Sequence, residues 1–180
     1  MRSVRTHRLT ALAALLLLAA CGRGARVSSP PPPPPPQPFP PAARVYYDNG
    51  GGIQDSLRLV VKQANDFATL WQQATSRQAS PPPAPAVDFG SQMLLFVGAG
   101  RMTPDDQIAV DSVYVTRELD TAGSMVEVLN VVVTTTTGCR RFNADAYPLD
   151  IVRVRRFDGP IKFVEQRAQA QGCNPPEPAA

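Results

Sequence analysis

The chain has 180 residues, with 18 Lys and Arg against 15 Asp and Glu, three cysteines and a single histidine. That length supplies one domain with one core. The positive excess equals the three arginines Arg2, Arg5 and Arg8, so the remainder carries 15 of each sign and lacks the basic footprint of a nucleic-acid binder.

Residues 9–20 follow those arginines as an uncharged apolar stretch, the layout of a secretory signal. At about 12 residues the stretch is too short for a bilayer span, which takes ~20. It ends in Leu18-Ala19-Ala20-Cys21, which resembles the lipobox of bacterial lipoproteins. The resemblance implies cleavage before Cys21, acylation of its sulfur and an anchor that holds the protein on a membrane without crossing it. Gly22 stands where an Asp would retain a lipoprotein at the inner membrane, which points to the outer membrane.

Residues 30–36 are all proline, and Pro38, Pro40 and Pro41 extend the run. Proline fixes φ and has no amide donor, so this segment is expected to be a stiff polyproline II spacer. At ~3.1 Å per residue, positions 30–41 reach about 37 Å. The expected organisation is a signal over residues 1–20, a lipidated cysteine and tether over 21–43, a folded domain over 44–169 and a loose tail over 170–180.

Within the domain, Asn65 is expected to cap a helix over 66–74, because Phe67, Leu70, Trp71 and Ala74 make one apolar stripe at helical spacing. Runs at 57–62, 92–97, 108–117, 124–136, 149–157 and 161–165 are rich in Val, Ile, Thr and Tyr and read as strands. Several connecting turns, such as Asp158-Gly159-Pro160, are too short for a helical crossover, so adjacent late strands are expected to be antiparallel. Ile108, Val110 and Tyr114 share one parity while Val113 and Val115 take the other, which predicts a bulge near Asp111 or Ser112. The fold class that follows is α+β, a mainly antiparallel twisted sheet of about five or six strands with one helix near the start of the domain.

The only histidine, His7, lies in the segment expected to be removed. Without it there is no Ser-His-Asp or Cys-His centre, no histidine metal ligand and no histidine base. Lys62 and Lys162, the two lysines, sit in no nucleophile motif. Asp105-Asp106, Asp111, Asp120 and Asp145 show no metal or glycosidase spacing; Asp105 and Asp106 follow Pro104 and read as turn formers. Asp48-Asn49-Gly50-Gly51-Gly52 lacks the Lys-Ser/Thr pair of a phosphate loop, and the threonines at 134–137 need only a pleated strand to explain them. No catalytic residue, metal or cofactor is expected.

With Cys21 acylated, Cys139 and Cys173 are left to pair in an exported compartment, enclosing 33 residues. Arg153 and Arg155 share one face of a predicted strand, with Arg156 beside them and Arg140-Arg141 on the preceding loop. They offer guanidinium forks to a partner's carboxylates, or else protect a solvated strand from edge pairing.

An ordered series runs through residues 57–165: DFATLWQQA, then PPPAPAVDFGSQMLLFVGAG, then the long strands, then YPLDIVRVRRFDGPIKFVE. It resembles the PrcB-like family, lipoproteins and exported proteins named for a subunit that binds and stabilises a surface protease. Val87-Asp88-Phe89 before Met93-Leu94-Leu95-Phe96 matches the family's lead into a first sheet strand, and Tyr147-Pro148-Leu149-Asp150-Ile151-Val152 its lead into a late one. Where the family has a Pro-Thr-Gly-Gly-Tyr-like turn, this chain has Arg101-Met102-Thr103-Pro104-Asp105-Asp106. The resemblance implies a non-enzymatic binding domain of the bacterial envelope with a protein partner, a protease among the candidates. The expected contacts are Arg101, Thr103, Asp105 and Asp106 in the turn and Arg153 and Arg155 on the strand. Two alternatives stay open on the residues: a glycan or small-molecule site walled by Tyr46, Tyr47, Tyr114 and Tyr147, and a carboxylate-dependent hydrolase.

Overall fold

A computed structural model describes residues 35–40, 42–140 and 142–173. The expected signal, Cys21, the prolines at 30–34, Pro41, Arg141 and the expected loose tail from Asn174 lie outside the described residues. Within them run β1 (Gln37–Pro38), β2 (Ala43–Asp48), β3 (Ser56–Val61), α1 (Ala64–Thr75), β4 (Gln92–Ala99), β5 (Gln107–Leu119), β6 (Met125–Thr137), β7 (Leu149–Arg155) and β8 (Ile161–Gln169). The six expected strands are all present. Two more are not among the expected strands: β1 lies in the expected tether, and β2 spans the residues between the tether and the glycine turn.

The expected sheet is two sheets. One has the order β1-β5-β6-β8 and the other β2-β7-β4-β3. Their division follows from β4, whose residues Met93, Leu94, Leu95, Phe96 and Val97 are all fully buried. Successive side chains of a strand point to opposite faces. Met93, Leu95 and Val97 therefore meet Ile108, Leu129, Val131, Val133, Val152 and Val154 between the sheets, while Leu94 and Phe96 meet Phe67, Trp71, Ala74, Leu149 and Ile151 under the helix. A strand covered on both faces reads as an unbroken apolar run, as this one does. The layers are sheet, sheet and helix.

The helix begins one residue before Asn65. Gln63 is the capping position and makes no side-chain cap, so Asn65 lies inside the first turn, where its carbonyl accepts from the Thr69 hydroxyl at 3.2 Å. Asp66 complements the positive end of the helix dipole. The apolar stripe is as expected: Phe67, Trp71 and Ala74 are buried and Leu70 packs beside them. Trp71 donates its indole N–H to the Pro82 carbonyl at 3.0 Å.

The bulge in β5 falls between Val110 and Ser112. It lets Ile108 and Val110 before it, and Val113 and Val115 after it, face the same core. The late strands depart from expectation. β7 pairs antiparallel with β2 and β4 in one sheet, whereas β8 pairs parallel with β6 in the other. The short turn between β7 and β8 passes from one sheet to the facing one, and β7 itself supplies the crossover that a helix usually provides for a parallel pair.

The folded domain also starts earlier than residue 44. Gln37 and Pro38 pair with Val115 and Tyr114, and Phe39 is buried between the sheets, edge-on to Phe157 at 6.1 Å. Pro38 is tolerated because β1 pairs on one side only. Residues 37–39 of the expected spacer therefore belong to the folded domain. Asp150 of β7, fully buried, ties the two sheets. It accepts from Arg44 Nε at 2.8 Å and Nη2 at 3.1 Å, and from the amide of Val110 at the bulge at 2.9 Å.

Candidate functional site

Beyond β4 the chain turns through Gly100, whose φ of 76° lies in the left-handed region that glycine adopts freely. Met102 and Ala146 then exchange backbone hydrogen bonds, both 2.9 Å, which lays the 101–106 turn against the loop that precedes β7. Asp106 is buried and fastens the turn from inside. One carboxylate oxygen accepts from the Thr103 amide and hydroxyl, both at 3.0 Å, and the other from the Gly138 amide at 2.8 Å. A side chain at Gly138 would place its Cβ 2.3 Å from the Asp105 carbonyl oxygen, so the backbones meet here only because that residue is glycine.

Outside this buried fastening sits a layer of charge. Asp105 accepts from the Arg140 amide at 2.9 Å and from its guanidinium at 3.4 Å, and Arg101 Nε donates to Asp145 at 2.8 Å. Arg140 also lies over the Phe142 ring at 5.1 Å. The expected bridge between Cys139 and Cys173 is formed, with Cα atoms 4.9 Å apart, and it joins the end of β8 to this loop. Asn49 reaches over from the end of β2 to the Pro104 carbonyl at 3.3 Å.

The hydrogen bond from the Arg140 amide holds the Asp105 carboxyl below the usual aspartate range, with its guanidinium adding to the effect. A folded pKa below the unfolded one contributes stability above the ordinary aspartate pKa, and that stability is lost as pH falls through the lowered value. An NMR titration of the Asp105 carboxyl carbon is therefore expected to give a midpoint below the ~3.9 of free aspartate. A midpoint at or above it would mean that the bond from Arg140 does not persist in solution.

The structure brings Arg101, Thr103, Asp105, Asp106 and the Cys139–Cys173 bridge together at one end of the sheets. It assigns them different tasks. Thr103 and Asp106 direct hydrogen-bonding groups into the turn, while the paired charges of Arg101 and Asp105 lie outside it. Arg153 and Arg155 do not join this patch. Arg153 pairs with Ala43 and Leu94, and Arg155 with Gln92 at the start of β4; the turn follows the end of β4, about 23 Å away at ~3.3 Å per residue. Because β7 lies between β2 and β4, neither arginine guards a sheet edge. Arg155 lies over Phe39 at 4.9 Å, and Arg156 is fixed by the Phe89 carbonyl at 2.8 Å.

The acids considered for chemistry are dispersed. Asp111 bonds Thr134, Asp120 caps the amides of Ala122 and Ser124 in its own hairpin, and Asp145 holds Arg101. Among the described residues no three His, Cys, Asp or Glu gather in a way that would hold a metal ion. The tyrosines are dispersed too: Tyr46 packs on Trp71, Tyr47 bonds Asn49, and Tyr147 faces Arg77. None of the four lines the hollow of about 410 Å³ beside Arg44 and Val110, or that of about 520 Å³ between β3 and β8. Local patterning gave no sign of the second hollow, because its arginines Arg58 and Arg167 belong to strands in different sheets. No family model, curated protein or solved structure matches the chain.

Proposed function

We propose that this chain is a lipid-anchored, non-enzymatic binding domain of the bacterial envelope, held at the outer membrane through Cys21, whose partner is another envelope or surface protein. The lipobox, the proline spacer and the histidine-free processed chain support the address and the lack of catalysis. The PrcB-like resemblance supports a protease as the partner that is stabilised.

The observation that carries the binding reading is the charged turn at 101–106. It is fastened from within by Asp106 and from the side by the disulfide loop, and a surface ordered in advance loses little entropy when a partner docks. The first strand of the described fold, β1, pairs with Val115 and Tyr114, about 23 Å at ~3.3 Å per residue from the Gln107 end of β5, where the turn lies.

Affinity capture of the native lipoprotein from its own envelope tests this reading. One protein is expected to be recovered reproducibly, lost with Arg101→Ala/Arg140→Ala and kept with Arg153→Ala/Arg155→Ala. The Cys21→Ser form is expected to leave the membrane fraction. A folded, anchored wild type that recovers no protein overturns the reading.

A further inference from the structure

We infer that the hollow between the outer edges of β3 and β8 receives an extended, acidic segment of the partner; this inference rests on the protein-binding reading above. β3 ends one sheet and β8 ends the other. A two-pronged ion pair joins them, with Arg58 Nε and Nη2 bonded to Glu165 at 2.7 and 2.8 Å. Beside this pair the surface is indented by about 520 Å³, and Arg101, Arg167, Thr135 and Thr137 share the lining. That volume takes several side chains and not just a single small ion.

The charge of the hollow is one-sided. Glu165 is its only carboxylate and is already matched by Arg58, which also spends Nη1 on the Leu57 and Gly98 carbonyls at 2.7 and 2.6 Å. Arg101 uses Nε for Asp145, which lies outside the lining. Arg167 forms no ion pair among the described residues. Two guanidiniums and two threonine hydroxyls thus face the same space with donors in excess of acceptors. Carboxylates satisfy such a set in the paired geometry that guanidinium favours.

The form of the ligand follows from the backbone. β8 is nine residues long and has a strand on one side only, so its outer edge offers main-chain hydrogen bonds to an extended segment. Side chains at alternate positions of that segment would point into the hollow. The site is continuous with the 101–106 turn through Arg101, and it adds a chemical specification to the partner: Asp or Glu at every second position of a strand-like stretch.

The test uses the full processed protein in detergent and a fluorescein-labelled hexapeptide of alternating glutamate and valine, read by fluorescence anisotropy. The wild type is expected to bind, more weakly as salt rises. Arg101→Ala/Arg167→Ala is expected to lose about tenfold or more in affinity, while Arg153→Ala/Arg155→Ala retains it. The reciprocal form, Arg101→Glu/Arg167→Glu, is expected to prefer the peptide with lysine in place of glutamate, an outcome that mere loss of folding would not produce. No binding by the wild type, or equal binding by the alanine form or of the lysine peptide to the wild type, overturns the inference. Envelope capture separates the two readings: a partner retained by Arg101→Ala/Arg167→Ala overturns the acidic-segment site alone, and capture that fails for the wild type overturns the protein-binding reading.

Discussion

Serine at both Cys139 and Cys173 is expected to lower the free energy of unfolding by roughly 3 to 4 kcal/mol, the loop-closure value for a cross-link of this span. The bridged residues are 34 apart, and the loop between them contains β7 and β8, one strand from each sheet. Without the bridge, the unfolded chain regains the freedom to separate these strands. In the folded state the end of β8 would be held by pairing alone, with the Ala170 amide donating to the Thr137 carbonyl at 2.9 Å as its last contact. The loop that supports Asp105 through Arg140 would lose its covalent neighbour at the same time. Urea unfolding of the paired serine form should show a lower midpoint and a steeper dependence on denaturant, because the uncrosslinked unfolded state exposes more surface. A loss below about 1 kcal/mol would mean that the reduced reference state is already restrained.

Arg44→Ala is expected to cost about 3 kcal/mol, the lower end of the range for removing one partner of a buried ion pair. The asymmetry of the pair decides the figure. The Asp150 side chain is fully enclosed, whereas that of Arg44 is 52% exposed. Arg44 alone can return to water; Asp150 alone cannot, and it would keep the Val110 amide as its one remaining donor among the bonds described. Arg44→Lys should recover part of the loss, since an ammonium restores charge without the two parallel bonds. Urea midpoints for the alanine and lysine forms check this order. If Arg44→Ala cost under 1 kcal/mol, water or another cation would have to reach Asp150 between the sheets.

Both predictions concern contacts that local patterning does not disclose. The strand and helix signals were legible because they are written in neighbouring residues. Phe67, Trp71 and Ala74 repeat at helical spacing, and the parity change from Val110 to Val113 announced the bulge. The bridge was legible by elimination among three cysteines. The turn that holds Arg101 and Asp105 was singled out by its departure from the PrcB-like family's pattern, but the residue types could not tell that Asp106, one residue on, turns inward. Its partner Gly138 lies 32 positions away, and burial at a turn depends on what packs over it.

By itself the sequence determined where six of the eight described strands and the helix lie, the apolar stripe of that helix, which cysteines are left to pair, and the linear signal from which the anchor at Cys21 is proposed; each is a property of a short segment. Only the tertiary structure decided that the strands divide into two sheets, that β8 runs parallel to β6, that Phe39 belongs to the core, and that Arg58, Arg101 and Arg167 surround one hollow. Periodicity states that a face is buried without stating what buries it. That choice is made by long-range packing, in which Met93, Leu95 and Val97 are covered by one layer and Leu94 and Phe96 by another.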